Sequence, residues 1–319
     1  MPLLNIQSLV VEYKTLRSNS KAVDRVSLAL EKGHTLGLVG ESGCGKSTLG
    51  LSTLRLVPPP GRITSGQITL DGIDIVNCSD QDIRKVRGKR VGYIFQDPMT
   101  SLNPVKKIGA HFLEMFHAHE RDMPKEDALK RAQDILQRLG ILPERINDFP
   151  HQFSGGMRQR VMIGLALALN PDLLIADEPT TSLDVIVEAQ IIELLKELKE
   201  SLRLTLILIT HNIGIVAEAA DRVAVMYAGR IAELGETGAL FEKPLHPYTQ
   251  ALLNSVPNIT KKGQILSWIP GAPPDLGEPP PGCLFHPRCP HAFDLCKREE
   301  PPLMKDNDTE VACHLYCKR

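Results

Sequence analysis

The sequence predicts an α/β fold with an inserted helical subdomain and a small cysteine-rich C-terminal extension. Three observations predict it. LGLV (36–39), LLIAD (173–177) and LTLILIT (204–210) are continuous apolar runs, the pattern of parallel strands covered on both faces. Between the last two, residues 185–203 place Ile191, Leu194, Leu195, Leu198 and Leu202 at helical spacing, which gives a strand–helix–strand unit. Five of the seven cysteines fall at the far end, from Cys283 to Cys317.

The elements follow in order. Residues 1–35 alternate apolar and polar in short runs broken by Gly, Asn and Lys, a strand-and-turn pattern. From residue 36, buried-strand runs alternate with helical stretches. Residues 97–165 lack a strong strand and read as the helical subdomain. After 235 the composition shifts, and IPGAPPDLGEPPPG (269–282) is too rich in proline and glycine for regular structure. The expected division is a nucleotide-binding domain over 1–235 and the extension over 236–319.

Bulk properties narrow the function. At 319 residues the chain has room for two domains. Hydrophobic residues make up 42% and charged residues 24%, which is ordinary for a soluble globular protein. Lys+Arg at 37 nearly balances Asp+Glu at 38, which argues against an electrostatic footprint for nucleic acid or acidic lipid, although such a balance can hide a local patch. The longest apolar runs are far short of the roughly 20 residues of a membrane helix. The start, MPLLNIQSLVVEYK, lacks a basic n-region and a small-residue cleavage site. The expectation is a soluble cytoplasmic protein. There thiols stay reduced, so clustered cysteines read as a metal site before a disulfide framework.

GESGCGKS (40–47) fits G-x-x-x-x-G-K-[ST], directly after a strand-like run and before the helical STLGLSTLRL. Gly40, Gly43 and Gly45 let backbone N–H groups curl around a β-phosphate, at a helix start that favours negative charge. Lys46 is placed to reach the β- and γ-phosphates, and the Ser47 hydroxyl to ligate Mg²⁺. Such a loop needs an acidic partner at a strand end, which LLIADE (173–178) supplies. Asp177 is assigned to Mg²⁺, and Glu178 to the attacking water of a hydrolase.

FSGGMRQR (153–160) resembles the LSGGQ signature of ATP-binding cassette (ABC) ATPases, with Phe153 for the leading Leu and Met157 for Gln. The other cassette landmarks follow in the family's order. Tyr13 matches the aromatic that stacks on adenine, Gln96 in YIFQDP the Q-loop, SLD (182–184) with Asp184 the D-loop, and His211 in LITHN the switch histidine. The resemblance covers at least 1–235. It implies ATP and Mg²⁺ as cofactors and a catalytic set of Glu178, His211 and Gln96, with Gln96 also on Mg²⁺. Ser42 and Thr48 join the nucleotide contacts. In this family two cassettes meet head to tail, with one P-loop facing the other's Ser154, Gly155 and Gly156. A chain with one of each therefore needs a second copy or a homologue.

QDPMTSLNP (96–104), DEPTTSLDV (177–185) and HPYTQALL (246–253) narrow the resemblance to the ATPase subunits of bacterial dipeptide/oligopeptide importers, a group that includes nickel importers. Such subunits work beneath two membrane permeases fed by an external peptide-binding protein. The location this implies is the inner face of the cell membrane. Alternatives are a nickel importer ATPase and a soluble, non-transport ABC ATPase. Asn212 departs from the Asp that many relatives carry after the histidine.

The cysteine spacing is Cys283-x₅-Cys289-x₆-Cys296-x₁₆-Cys313, with Cys317 beyond. Only Cys313 and Cys317 have the close spacing zinc favours, while the long gaps suit four thiolates on one [4Fe–4S] cube. Spacing leaves zinc and iron–sulfur both open. GCLFHPRCPHAFDLC resembles the C-terminal segment of peptide-importer ATPases, some of which carry a [4Fe–4S] cluster, and this favours iron. Cys283, Cys289, Cys296 and Cys313 are the expected ligands. A metal staple there would supply stability to a segment with few large apolar residues.

Overall fold

A computed structural model of the chain describes residues 2–14, 19–97, 101–181, 183–255, 269–306 and 308–317. The chain forms two compact units, one of residues 1–78 with 208–319 and one of 79–207.

In the first unit, residues 1–35 form two long antiparallel strands, Leu4–Lys14 and Asn19–Leu30, with Leu4 opposite Leu30 and Tyr13 opposite Ser20. Leu4–Lys14 also pairs with Gly61–Leu70, to which Ile73–Asp74 adds a short edge. A second set of strands runs in the order Met304–Asp306, Thr309–Val311, Arg230–Glu236, Arg222–Tyr227, Thr35–Val39. Of these pairs only the last, Thr35–Val39 with Arg222–Tyr227, is parallel. Thr35–Val39 is buried along its whole length, as its unbroken apolar run requires.

The C-terminal residues hold more core than their proline-rich composition suggests. Val311 pairs with Glu233. Tyr248 and Phe285 are among the largest fully buried side chains of the chain, packed with Val39, Val216, Val225 and Tyr227. Aromatic rings here replace the aliphatic runs that mark a core in sequence.

In the second unit, Val91–Ile94 lies parallel to Leu173–Asp177, with Val91 opposite Leu173 and Ile94 opposite Ala176. The expected subdomain is helical: Ile108–His119, Lys125–Arg138 and Gly155–Leu167. Ile108, Phe112 and Phe116 recur every fourth residue on the first helix, and Ala128, Ala132 and Leu136 on the second. Each series makes one buried stripe, so the two faces close on a shared core. The helix Val185–Leu202 buries Ile191, Leu194 and Leu195 as its spacing predicts, while Leu198 is half-buried and Leu202, in the last turn, is exposed. Among the described residues, no helix is long and apolar enough to cross a membrane.

Candidate nucleotide site

The G-x-x-x-x-G-K-S loop joins the strand Thr35–Val39 to the helix Lys46–Ser52. Its backbone admits only glycine at two points. Gly40 has φ 151° and Gly45 φ 104°, and an added Cβ would come within 2.2 Å of Met226 O and 2.0 Å of Ala22 O respectively. Lys46 is buried, and its ammonium donates to the carbonyls of Gly40 at 2.8 Å and Glu41 at 3.1 Å. Two neutral carbonyls compensate a buried cation only partly, so an anionic phosphate is the stronger partner for this amine. Ser47 and Thr48 open the helix, and Ser42 and Gly43 are exposed on the loop. Tyr13 closes its strand opposite Gly61, where an added Cβ would lie 2.6 Å from the ring.

In the same unit, His211 is exposed just after the strand Thr205–Ile209. Asn212 caps the helix Ile213–Ala219, its Oδ1 accepting from Gly214 N–H at 3.1 Å. Asn and Asp cap equally well, which explains why this departure leaves the local fold intact.

The second unit brings together the acidic strand and the Q-loop. The buried Tyr93 hydroxyl donates to Asp177 Oδ2 at 2.8 Å. Burial, and then the Asp177 charge, hold the Tyr93 hydroxyl well above its ordinary pKa, so it remains a donor. The Gln96 side-chain amide donates to Glu178 Oε2 at 2.9 Å, and Thr181 Oγ1 donates to the same oxygen at 2.9 Å. Glu178 has φ 45°, a left-handed conformation costly for a residue with a Cβ and characteristic of functional turns.

Ser154 caps the helix Gly155–Leu167, accepting from Met157 N–H at 3.3 Å. An added Cβ at Gly156 would lie 2.6 Å from Val187 Cγ1, on the helix that Asp184 caps by accepting from Val187 N–H at 3.0 Å. The signature and the D-loop cap thus meet at one valine. Ser182, the first residue of SLD, and residues 98–100 of QDPMTSLNP lie outside the described residues. The two signature departures share a partner. Arg145 stacks its guanidinium 4.1 Å over the Phe153 ring and donates to Met157 Sδ at 3.3 Å.

Cys283, Cys289, Cys296 and Cys313 line one cavity with His246, His286, His291 and His314, and Cys317 is not among its lining residues. Burial pushes the Cys313 thiol up to about 11, and neighbouring Cys283, Cys289 and Cys296 add to it. Cys283 and Cys289 are raised the same way, first by burial and then by their cysteine neighbours. Among the described residues, no three His, Cys, Asp or Glu form a group able to hold a metal ion. The expected iron–sulfur site therefore stands here as four thiols around a cavity, without a close-set ion-binding group.

Sequence reasoning missed Glu41, Tyr227, Tyr248 and Arg288. Glu41 N–H donates to Tyr248 Oη at 2.9 Å, and Arg288 forms two hydrogen bonds to the Glu41 carboxylate, at 2.7 and 2.9 Å. Tyr248 lies in HPYTQALL and Arg288 in GCLFHPRCPHAFDLC, but nothing in either stretch marks Glu41 as the partner.

Comparison with known proteins agrees with this geometry. Residues 23–181 match the ABC transporter family, and residues 232–296 match the family described as oligopeptide/dipeptide transporter, C-terminal region. The oligopeptide transport ATP-binding protein OppD of Bacillus subtilis is 49% identical over 96% of this chain and 87% of its own length. The dipeptide transport ATP-binding protein DppD of Escherichia coli is 45% identical over 98% of this chain and 97% of its own. Among solved structures, a dimeric ATP-binding cassette in a post-hydrolysis state with ADP and Pi is 28% identical with a TM-score of 0.65, covering 73% of this chain and 98% of that one. A subunit of a Clostridium perfringens ABC transporter complex is 30% identical with a TM-score of 0.64, covering 76% and 91%. The chain belongs to the ABC transporter ATP-binding subunits of the oligopeptide/dipeptide importer family.

Proposed function

We propose that this chain hydrolyses ATP to energise the import of di- and oligopeptides through a membrane ABC transporter. One observation carries the hydrolytic part: a buried lysine amine donating to neutral loop carbonyls, in a glycine loop built for phosphate. The peptide cargo rests on near-full-length similarity to oligopeptide and dipeptide transport ATP-binding proteins, and on the matching C-terminal region.

The residues divide the work. The N–H groups of Gly40, Ser42, Gly43 and Gly45 cradle the phosphates, Lys46 moves from its carbonyls to them, and Thr48 adds a hydroxyl. Ser47, Asp177 and Gln96 hold Mg²⁺. Glu178 orients the attacking water, with Gln96 on its carboxylate, and His211 senses the γ-phosphate. Tyr13 stacks on adenine. Ser154, Gly155, Gly156 and Asp184 serve the nucleotide of a second cassette, a homologue or another copy, across a head-to-tail dimer. The exposed hydrophobics Val185 and Ile186 beside Asp184 suit burial in that dimer. The reading of a nucleotide-binding domain followed by a separate extension is supported by two family matches that do not overlap, one ending at 181 and the other beginning at 232. The assembly includes two permeases and an external binding protein, with this subunit on the inner face of the membrane.

The reading of a [4Fe–4S] site rests on four thiols lining one cavity, the number such a cluster takes, and on the resemblance of the segment. Cys283, Cys289, Cys296 and Cys313 would hold it, and the cluster would supply a covalent staple. Because a metal binds thiolates and not thiols, loading would release protons.

Affinity purification of the tagged chain from its native membrane tests the transport reading. Two integral membrane subunits should co-purify in detergent. Recovery of a soluble chain alone, or with nucleic acid, would count against it.

A further inference from the structure

The second residue of the phosphate loop is held by its own loop and, on its N–H and its carboxylate, by the C-terminal segment. Glu41 C=O accepts from Lys46, Glu41 N–H donates to Tyr248 Oη, and the Glu41 carboxylate accepts both N–H groups of the Arg288 fork. Arg288 is itself fixed. Its side chain is 4% exposed against 25% for Glu41, its Nε donates to Pro270 O at 2.9 Å, and its Nη1 donates to Tyr227 Oη at 3.3 Å. Tyr227, Tyr248 and Phe285 pack around this point with ring centroids 4.6 to 5.4 Å apart. Arg288 directly precedes Cys289, and Phe285 lies between Cys283 and Cys289.

We propose that Arg288 is a positioning residue of the nucleotide site. It neutralises and orients Glu41, and so makes ATP affinity depend on the packing of the cysteine segment. When phosphate draws Lys46 away from the loop carbonyls, Glu41 keeps the local Cys44 N–H on its carbonyl, and the side chains of Tyr248 and Arg288 on its N–H and carboxylate. Without Arg288 a carboxylate stands uncompensated in a loop that must receive a polyanion, and the loop loses a bidentate anchor. Both effects act on binding, through repulsion and through lost preorganisation.

The inference rests on the nucleotide-binding reading of residues 40–47. Fluorescent ATP-analogue binding to the full-length wild-type chain checks that reading separately. Arg288→Met should raise the dissociation constant about tenfold while leaving the nucleotide-free melting profile a single transition. Glu41→Gln should raise it less, because it removes the anchor and the charge together. The double variant should bind no more weakly than Arg288→Met alone. Hydrolysis by the assembled transporter at saturating ATP should stay within about twofold of wild type, a split that general destabilisation does not give. A folded Arg288→Met with unchanged affinity overturns the inference, and so do single effects that simply add in the double variant. If Arg288→Met does not fold, Glu41→Gln and Arg288→Lys carry the test, and unchanged affinity in both overturns it.

Discussion

The Gln96 side-chain amide donates to the Glu178 carboxylate at 2.9 Å, joining the Q-loop to the end of the acidic strand Leu173–Asp177. Thr181 Oγ1 donates to the same oxygen, so the carboxylate is oriented, and in the proposed mechanism it takes the water proton. Glu178→Gln should therefore keep ATP binding and lower turnover at least about 10²-fold, the scale of a lost general base. Single-turnover hydrolysis beside equilibrium ATP binding separates the two quantities.

Asp177 is buried, and the Tyr93 hydroxyl donates to it. Removing that donor takes one hydrogen bond from a buried carboxylate, at a cost of about 1–3 kcal/mol. Tyr93→Phe should lower the melting temperature of the nucleotide-free chain, and Mg-ATP should restore part of the loss by giving Asp177 a cation. Equal losses with and without Mg-ATP would separate Asp177 from the metal.

Ser154 caps its helix from an exposed position. Ser154→Arg should spare ATP binding by the monomer and block the ATP-driven dimer in a Glu178→Gln background, seen by sedimentation. A dimer that still forms contradicts the composite site.

The cysteine cavity yields a fourth expectation. Anaerobically purified protein should be brown with about four irons per chain, as the cluster type requires. Ser at Cys283, Cys289, Cys296 or Cys313 should bleach it, whereas Cys317→Ser should not. Stoichiometric zinc would defeat the iron reading. Read from sequence, the P-loop lies in a separately folded core, and ATP binding is expected to survive in all five variants. The Arg288–Glu41 pair reverses that expectation, and the bleached variants should also bind ATP more weakly.

What the sequence revealed and what it hid have physical reasons. The strand Leu173–Asp177 and the helix Val185–Leu202 were readable because burial imposes local periods, continuous in one and near four in the other. The glycine loop was readable because its backbone tolerates no Cβ at Gly40 or Gly45. The Arg288–Glu41 pair was not, since its partners lie 247 residues apart and an ion pair leaves no periodic trace. Tyr248 and Phe285 hid for a related reason, being isolated rings whose burial comes from tertiary packing.

Uptake of a labelled dipeptide into vesicles carrying the assembled transporter, with the binding protein outside and ATP inside, tests the central claim most directly. Wild-type vesicles should accumulate the peptide only with ATP, and vesicles built with Glu178→Gln should not accumulate it. Uptake that persists in the Glu178→Gln vesicles, or ATP-driven uptake of nickel with none of the peptide, would contradict the account.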